Sequence, residues 1–156
     1  MSDVFISRQP LVNRQSRIIA TRLQLHFGDG ETLLDATRAL GAVADAWPKG
    51  EKPVFVGCGA QVCEATLLEW SMPENVTLEV RGNDLVTGNG PELVQALRDW
   101  QPSVCLHFDR AAPQALATGL PFRFIGFDRQ TLGLPQIKLL AARTRNHGIG
   151  IVFNVD

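Results

Sequence analysis

Residues 76–108, VTLEVRGNDLVTGNGPELVQALRDWQPSVCLHF, read as one strand, one helix and a second strand. VTLEV (76–80) and SVCLHF (103–108) are short apolar runs rich in β-formers, bounded by turn residues. Between them Gly88-Asn89-Gly90-Pro91 introduces a helix that runs to about Trp100, with Pro91 suited to a first helical turn. A strand, a crossover helix and a further strand form the unit from which parallel sheets are built.

The same unit recurs on both sides. Upstream, PVFVG (53–57) reads as a strand and 61–70 as a helix carrying Val62, Ala65 and Leu68. Before it, 17–27 (RIIATRLQLHF) reads as a strand. A helix over 32–47 then carries Leu33, Leu34, Ala36, Leu40, Val43, Ala44 and Trp47 at helical spacing, and Pro48-Lys49-Gly50 stops it. Downstream, 112–118 is a short helix, FRFIGF (122–127) a strand, 133–146 a helix and GIGIVFNV (148–155) the last strand. Residues 3–6 give a short extended start, broken at Gln9-Pro10 because proline restricts itself and its predecessor.

The expectation is therefore an α/β fold with about six main, mostly parallel strands and five helices, preceded by a short N-terminal extended segment. Strands rich in Val, Ile and Phe are those covered on both faces. A closed eight-stranded barrel takes roughly 200 residues or more. At 156 residues the chain is too short for that version, which leaves an open sheet or an incomplete TIM-barrel-like (β/α) fold, as a single domain over 1–156.

Composition narrows the functional classes. Hydrophobic residues make up 45% and charged ones 20%, enough for a sizeable core, and the net charge is −1. That balance gives no general attraction to nucleic acid or to an anionic membrane. No apolar run approaches the roughly 18–20 residues of a membrane span, and the N-terminus has no secretory pattern. Three cysteines, Cys58, Cys63 and Cys105, make an odd count without zinc-site spacing, which favours reduced thiols in a cytoplasmic protein.

Four places carry candidate chemistry, each beside a plainer reading. Gly57-Cys58-Gly59-Ala60-Gln61-Val62 follows a strand and opens a helix, as a phosphate-binding turn does, and Glu79 stands where a ribose-binding acid is expected. The third glycine of that fingerprint is Val62, however, and a tight turn needs glycine for backbone reasons alone. Cys58 in that turn is a candidate nucleophile, with His26, His107 or His147 as bases, against a simply buried thiol. His107 sits at the carboxyl end of a strand, where α/β folds place functional groups, and with Asp109 is a candidate metal site, against a histidine merely hydrogen-bonded at the sheet edge. Glu79 in an apolar strand needs a partner, for which Arg22 is the expectation.

Several segments together carry a family resemblance. VFISRQPLVNR (4–14) resembles the "VFVARQPIFDR" opening of EAL domains that precede HDOD domains in bacterial signalling proteins. RIIATRLQL (17–25) is similar to "kvvgYELLfR", VTLEV (76–80) to "vviEi" and VCLHF (104–108) to "iALDDF". FIGFD (124–128) is similar to "yiKiD" and VFNVD (152–156) to "AEgVE". The resemblance implies a barrel-type fold. In active members this fold hydrolyses cyclic-di-GMP with two divalent metals held largely by carboxylates.

Carried over position by position, that site is lost. The signature glutamate falls on Arg22, the asparagine on Gly57, the adjacent aspartates on His107 and Phe108, the lysine on Gly126 and the first glutamate of "AEgVE" on Phe153. Only Glu79, Asp128 and Asp156 keep oxygen ligands, and the phosphate-holding arginine falls on His26. An arginine in place of a metal-binding glutamate reverses the local charge and repels a divalent cation. The resemblance thus implies no catalytic residue, no metal and no cofactor. It implies a regulatory or protein-interaction module of cytoplasmic signal transduction, with a protein partner or self-association.

The alternative is a nucleotide receptor without hydrolysis, contacted through Gln9, Gly57 and Gly59. The chain also stops at its sixth main strand, where the family continues for two more βα units. An open sheet edge would then invite another chain.

Overall fold

The computed structural model describes residues 3–128, 142, 144 and 148–154. Packing divides the chain into two units, Met1–Leu78 and Glu79–Asp156.

In the first unit, β1 (Phe5–Val12) and β2 (Ile18–His26) form an antiparallel hairpin. Asn13 closes it, its Oδ1 accepting from the backbone N–H of Gln15 at 2.9 Å and of Arg17 at 3.0 Å. The expected break at Gln9-Pro10 does not occur: β1 runs through both residues. Pro10 lies opposite Thr21, whose N–H turns the other way, to Pro53 O at 3.1 Å. Asp3, an odd-numbered residue, accepts from Gly28 N on the β2 side at 3.2 Å. Odd positions of β1 therefore bond towards β2 and even positions face away, so Pro10 deprives β2 of no donor.

Helix α1 (Leu33–Ala42) starts at a capping box: Thr32 Oγ1 accepts from Asp35 N, and Asp35 Oδ2 accepts from Thr32 N at 2.8 Å. The hydrogen bonds that Thr32 donates to it, from the backbone N–H first and then from Oγ1 at 2.8 Å, hold the Asp35 carboxyl below its usual pKa. Leu33, Ala36, Thr37 and Leu40 form its buried stripe. The helix is shorter than its periodicity predicts, passing into a 3-10 turn at Ala44–Ala46. Trp47 then goes extended, with ψ at 135°, as a residue before proline must.

Strand β3 (Val54–Gly57) lies parallel to β2, with Arg22 opposite Phe55 and Gln24 opposite Gly57. The expected helix at 61–70 is a 3-10 segment, Ala65–Glu69, with no side-chain cap at Glu64. A single uncapped turn does not sustain an α-helix. Trp47 and Trp70 meet, ring centroids 5.5 Å apart, and Trp47 Nε1 donates to Asn75 Oδ1 at 3.0 Å.

Strand β4 (Val76–Arg81) begins in the first unit and leads into the second. There α2 (Gly82–Val86), which the sequence reading missed, is followed by α3 (Gly90–Trp100) with Pro91 in its first turn. Helix α3 ends on Gln101, left-handed at φ 50°. Strand β5 (Ser103–His107), α4 (Ala112–Leu116), β6 (Phe124–Asp128) and β7 (Gly150–Asn154) complete the unit. Strands β5, β6 and β7 are parallel neighbours, with His107 opposite Gly126 and Asp128 opposite Asn154. Val104, Cys105 and Leu106 on β5 and Ile125 to Phe127 on β6 are buried without alternation, as strands covered on both faces are. The expected helix over 133–146 falls mostly outside the described residues.

The fold is α/β with seven mostly parallel strands that neighbour one another in chain order. That consecutive order is the one an incomplete (β/α) barrel uses. Among the described residues no helix is long and apolar enough to cross a membrane.

Candidate functional site

The ends of β5 and β6 carry the residues on which the resemblance turns. Their register sets His107 beside Gly126, two residues before Asp128. His107 Nε2 lies 3.3 Å from Asp128 Oδ2, both side chains partly exposed. Gly126 leaves room beside the imidazole: a Cβ there would sit 3.5 Å from His107 Nδ1 and 3.6 Å from Cys105 Sγ.

Phe108 follows, 8% exposed, its ring 5.4 Å from that of Phe127 and its N–H donating to Gly126 O at 2.8 Å. The position expected to match an aspartate is therefore part of an aromatic core. The neighbouring Asp109 is turned to the backbone. Its Oδ2 accepts from Asn83 N and its Oδ1 from Ala111 N, both at 2.9 Å. One carboxylate thus fastens the start of α2 and the turn before α4. Gly82 lets the two approach, because a Cβ there would collide with Asp109 Oδ1 and lie 2.7 Å from Ala112 N.

Beside it Asp84, only 2% exposed, faces Arg81. Arg81 Nη2 donates to Oδ1 and the Arg81 backbone N–H to Oδ2, each at 3.0 Å. A strand ending in Arg, with Asp three residues later, is the sequence signal that could have revealed this helix start. His107 and Asp109 thus engage different partners. Among the described residues no three His, Cys, Asp or Glu side chains gather where they could hold a metal ion.

In the first unit, Gly57 ends β3 and Cys58 is buried, 5% exposed. Gly59 has φ at +59°, with Leu25 O 3.0 Å from where its Cβ would be, so backbone conformation accounts for the glycine. Gln61 N bonds back to Cys58 O at 3.1 Å, closing a turn. A 3-10 segment rather than an α-helix follows this turn, which leaves it without the helix N-terminus that favours a phosphate or a thiolate. His26, the base candidate in this unit, is exposed and bonded to Ser7 Oγ at 2.8 Å.

Arg22 lies half-buried on β2, opposite Gln9 of β1 and Phe55 of β3, and Gln9 itself is exposed. Glu79 is half-buried on β4, in the other unit from Arg22. Phe153 is an exposed residue of β7, opposite Phe127. His147 and Asp156 lie outside the described residues.

No family model matches the chain, and no curated protein matches it either.

Proposed function

We propose that the chain is a catalytically inactive EAL-like module, serving regulation or protein contacts in cytoplasmic bacterial signal transduction. The order of the resembling segments along the chain supports the kinship, and the residues at the strand ends support the loss of activity. One observation carries the reading. At the end of β5 the adjacent aspartates of the resemblance are replaced by His107, set against Asp128, and by Phe108, packed on Phe127. Two-metal phosphodiester hydrolysis needs hard oxygen ligands and an activated water. An imidazole beside the carboxylate and a phenyl ring in the core supply neither.

The test is calorimetric titration with cyclic-di-GMP, with and without Mg²⁺ or Mn²⁺, alongside an assay for the linear dinucleotide. The expected outcome is no linear product under any of these conditions and no heat at high micromolar nucleotide. Metal-independent binding without turnover would move the assignment to a nucleotide receptor. Turnover would overturn it.

A further inference from the structure

The β1–β2 hairpin combines an open strand edge with a charge unlike that of the rest of the chain. Residues 4–27 hold Arg8, Arg14, Arg17 and Arg22, four of the 15 basic residues, and none of the 16 acidic ones. Arg8, Arg14 and Arg17 are exposed, and among the described residues no ion pair engages them. Apolar side chains are exposed along the same hairpin: Phe5 at 67%, with Val12, Ile18 and Ile19 at its other end. Among the described residues β2 is the only strand that pairs with β1. Even-numbered positions of β1 face away from β2, as shown by the bonds of Thr21 and Asp3. The outer edge therefore offers the N–H groups of Ile6 and Arg8, and the ladder stops offering donors at Pro10.

We propose that this edge takes up an extended acidic segment of a partner protein as an added strand. Backbone donors at Ile6 and Arg8 would supply affinity, as in other strand additions, and the surrounding arginines would select acidic side chains. Charge complementarity singles out this occupant. A second copy paired symmetrically about Arg8 or Ser7 would bring the two Arg8 side chains opposite or diagonal to each other, and like charges across strands repel. An anionic membrane would use the arginines but not the outward backbone donors. The inference rests on the reading of the chain as an interaction module and names its surface.

The test uses the whole chain and an end-blocked, fluorescein-labelled octapeptide alternating valine and glutamate, with glutamine and lysine counterparts. Anisotropy is expected to rise saturably for the glutamate peptide, to weaken as salt shortens the reach of charge, and to stay flat for the lysine peptide. Arg8→Gln should weaken binding about threefold, the range of an exposed ion pair. Ile6→Pro, which removes an outward donor and no bond to β2, should weaken it about fivefold. Arg8→Gln should leave the thermal midpoint in place, which keeps the charge effect readable if Ile6→Pro folds poorly.

Equal binding of the lysine and glutamate peptides overturns the proposal, as does a folded Ile6→Pro chain that binds like the parent. Attachment to phosphatidylserine vesicles that survives Ile6→Pro, without peptide binding, overturns it in favour of a membrane surface. Failure here with no cyclic-di-GMP turnover rejects only this surface, whereas turnover rejects the reading beneath it.

Discussion

The corner after β5 and the β1–β2 hairpin handle charge in opposite ways. At the corner, Asp109 holds two backbone N–H groups, Asp84 holds Arg81, and His107 lies against Asp128. Each of these groups is engaged by a neighbour in its own unit. On the hairpin, three arginines stand exposed with no acid in the surrounding stretch. The end of a β-strand in an α/β fold is where ligands usually bind, yet here that position is occupied by structural contacts. The outward-facing chemistry lies on a hairpin whose first strand sequence patterning treats as a short lead-in.

The sharpest way to break this comparison is to put back what the resemblance expects. Phe108→Asp would place a carboxylate in the aromatic contact with Phe127, where the side chain is 8% exposed. Losing a buried phenyl ring and burying an unpaired charge should together cost about 4 kcal/mol. Urea denaturation measures this directly. A loss under about 1 kcal/mol would mean that the corner still accommodates a carboxylate, and that its aromatic core is not what excludes one.

A smaller effect is expected at Asp84. Asp84→Ala removes the acceptor for the Arg81 backbone N–H and the carboxylate that the guanidinium meets. Arg81 is about one-third exposed, so water recovers part of the loss. A destabilisation of about 2 kcal/mol follows from one orphaned N–H and one broken, partly screened pair. Asp84→Asn, which keeps an acceptor in place, should cost less. Equal losses for the two variants would show that packing, not hydrogen bonding, holds the start of α2.

The contrast between these regions also marks how far the sequence could be read. Strands with continuous apolar runs, such as Val54-Phe55-Val56 and Val104-Cys105-Leu106, were legible because burial on both faces leaves no polar alternation. Helix α3 was legible from Pro91 and its apolar stripe. Helix α2 was not, because five residues give too little periodicity, and its local Arg81–Asp84 cap is joined by a long-range contact that patterning cannot see: Asp109 reaching back to Asn83. The helix expected at 61–70 was overestimated because its buried apolar positions, Leu67 and Leu68, serve a 3-10 turn that ends at Trp70, the ring partner of Trp47. Pro10 was misread for a related reason. Its effect on a strand depends on which way its missing N–H points, and only the pairing with β2 decides that. At the candidate site the identities of His107, Phe108 and Asp128 were visible, but the partners they take were not.

The smallest effect is expected at the tip of the hairpin. The turn there is held by Asn13, whose Oδ1 receives the N–H groups of Gln15 and Arg17 and whose own N–H donates to Arg17 O at 3.0 Å. None of these bonds involves a guanidinium. Replacing Arg14 and Arg17 with glutamine should therefore shift the free energy of unfolding by no more than about 0.5 kcal/mol, the range of exposed substitutions away from structural features. Removing like charges from so basic a stretch pushes the small shift towards stabilisation, more visibly at low salt than at high salt. A loss above about 1 kcal/mol in the same urea titration would show the arginines to be part of the turn's own structure. The hairpin would then resemble the corner after β5, with its charges serving the fold, and the acidic-segment surface would lose its physical basis.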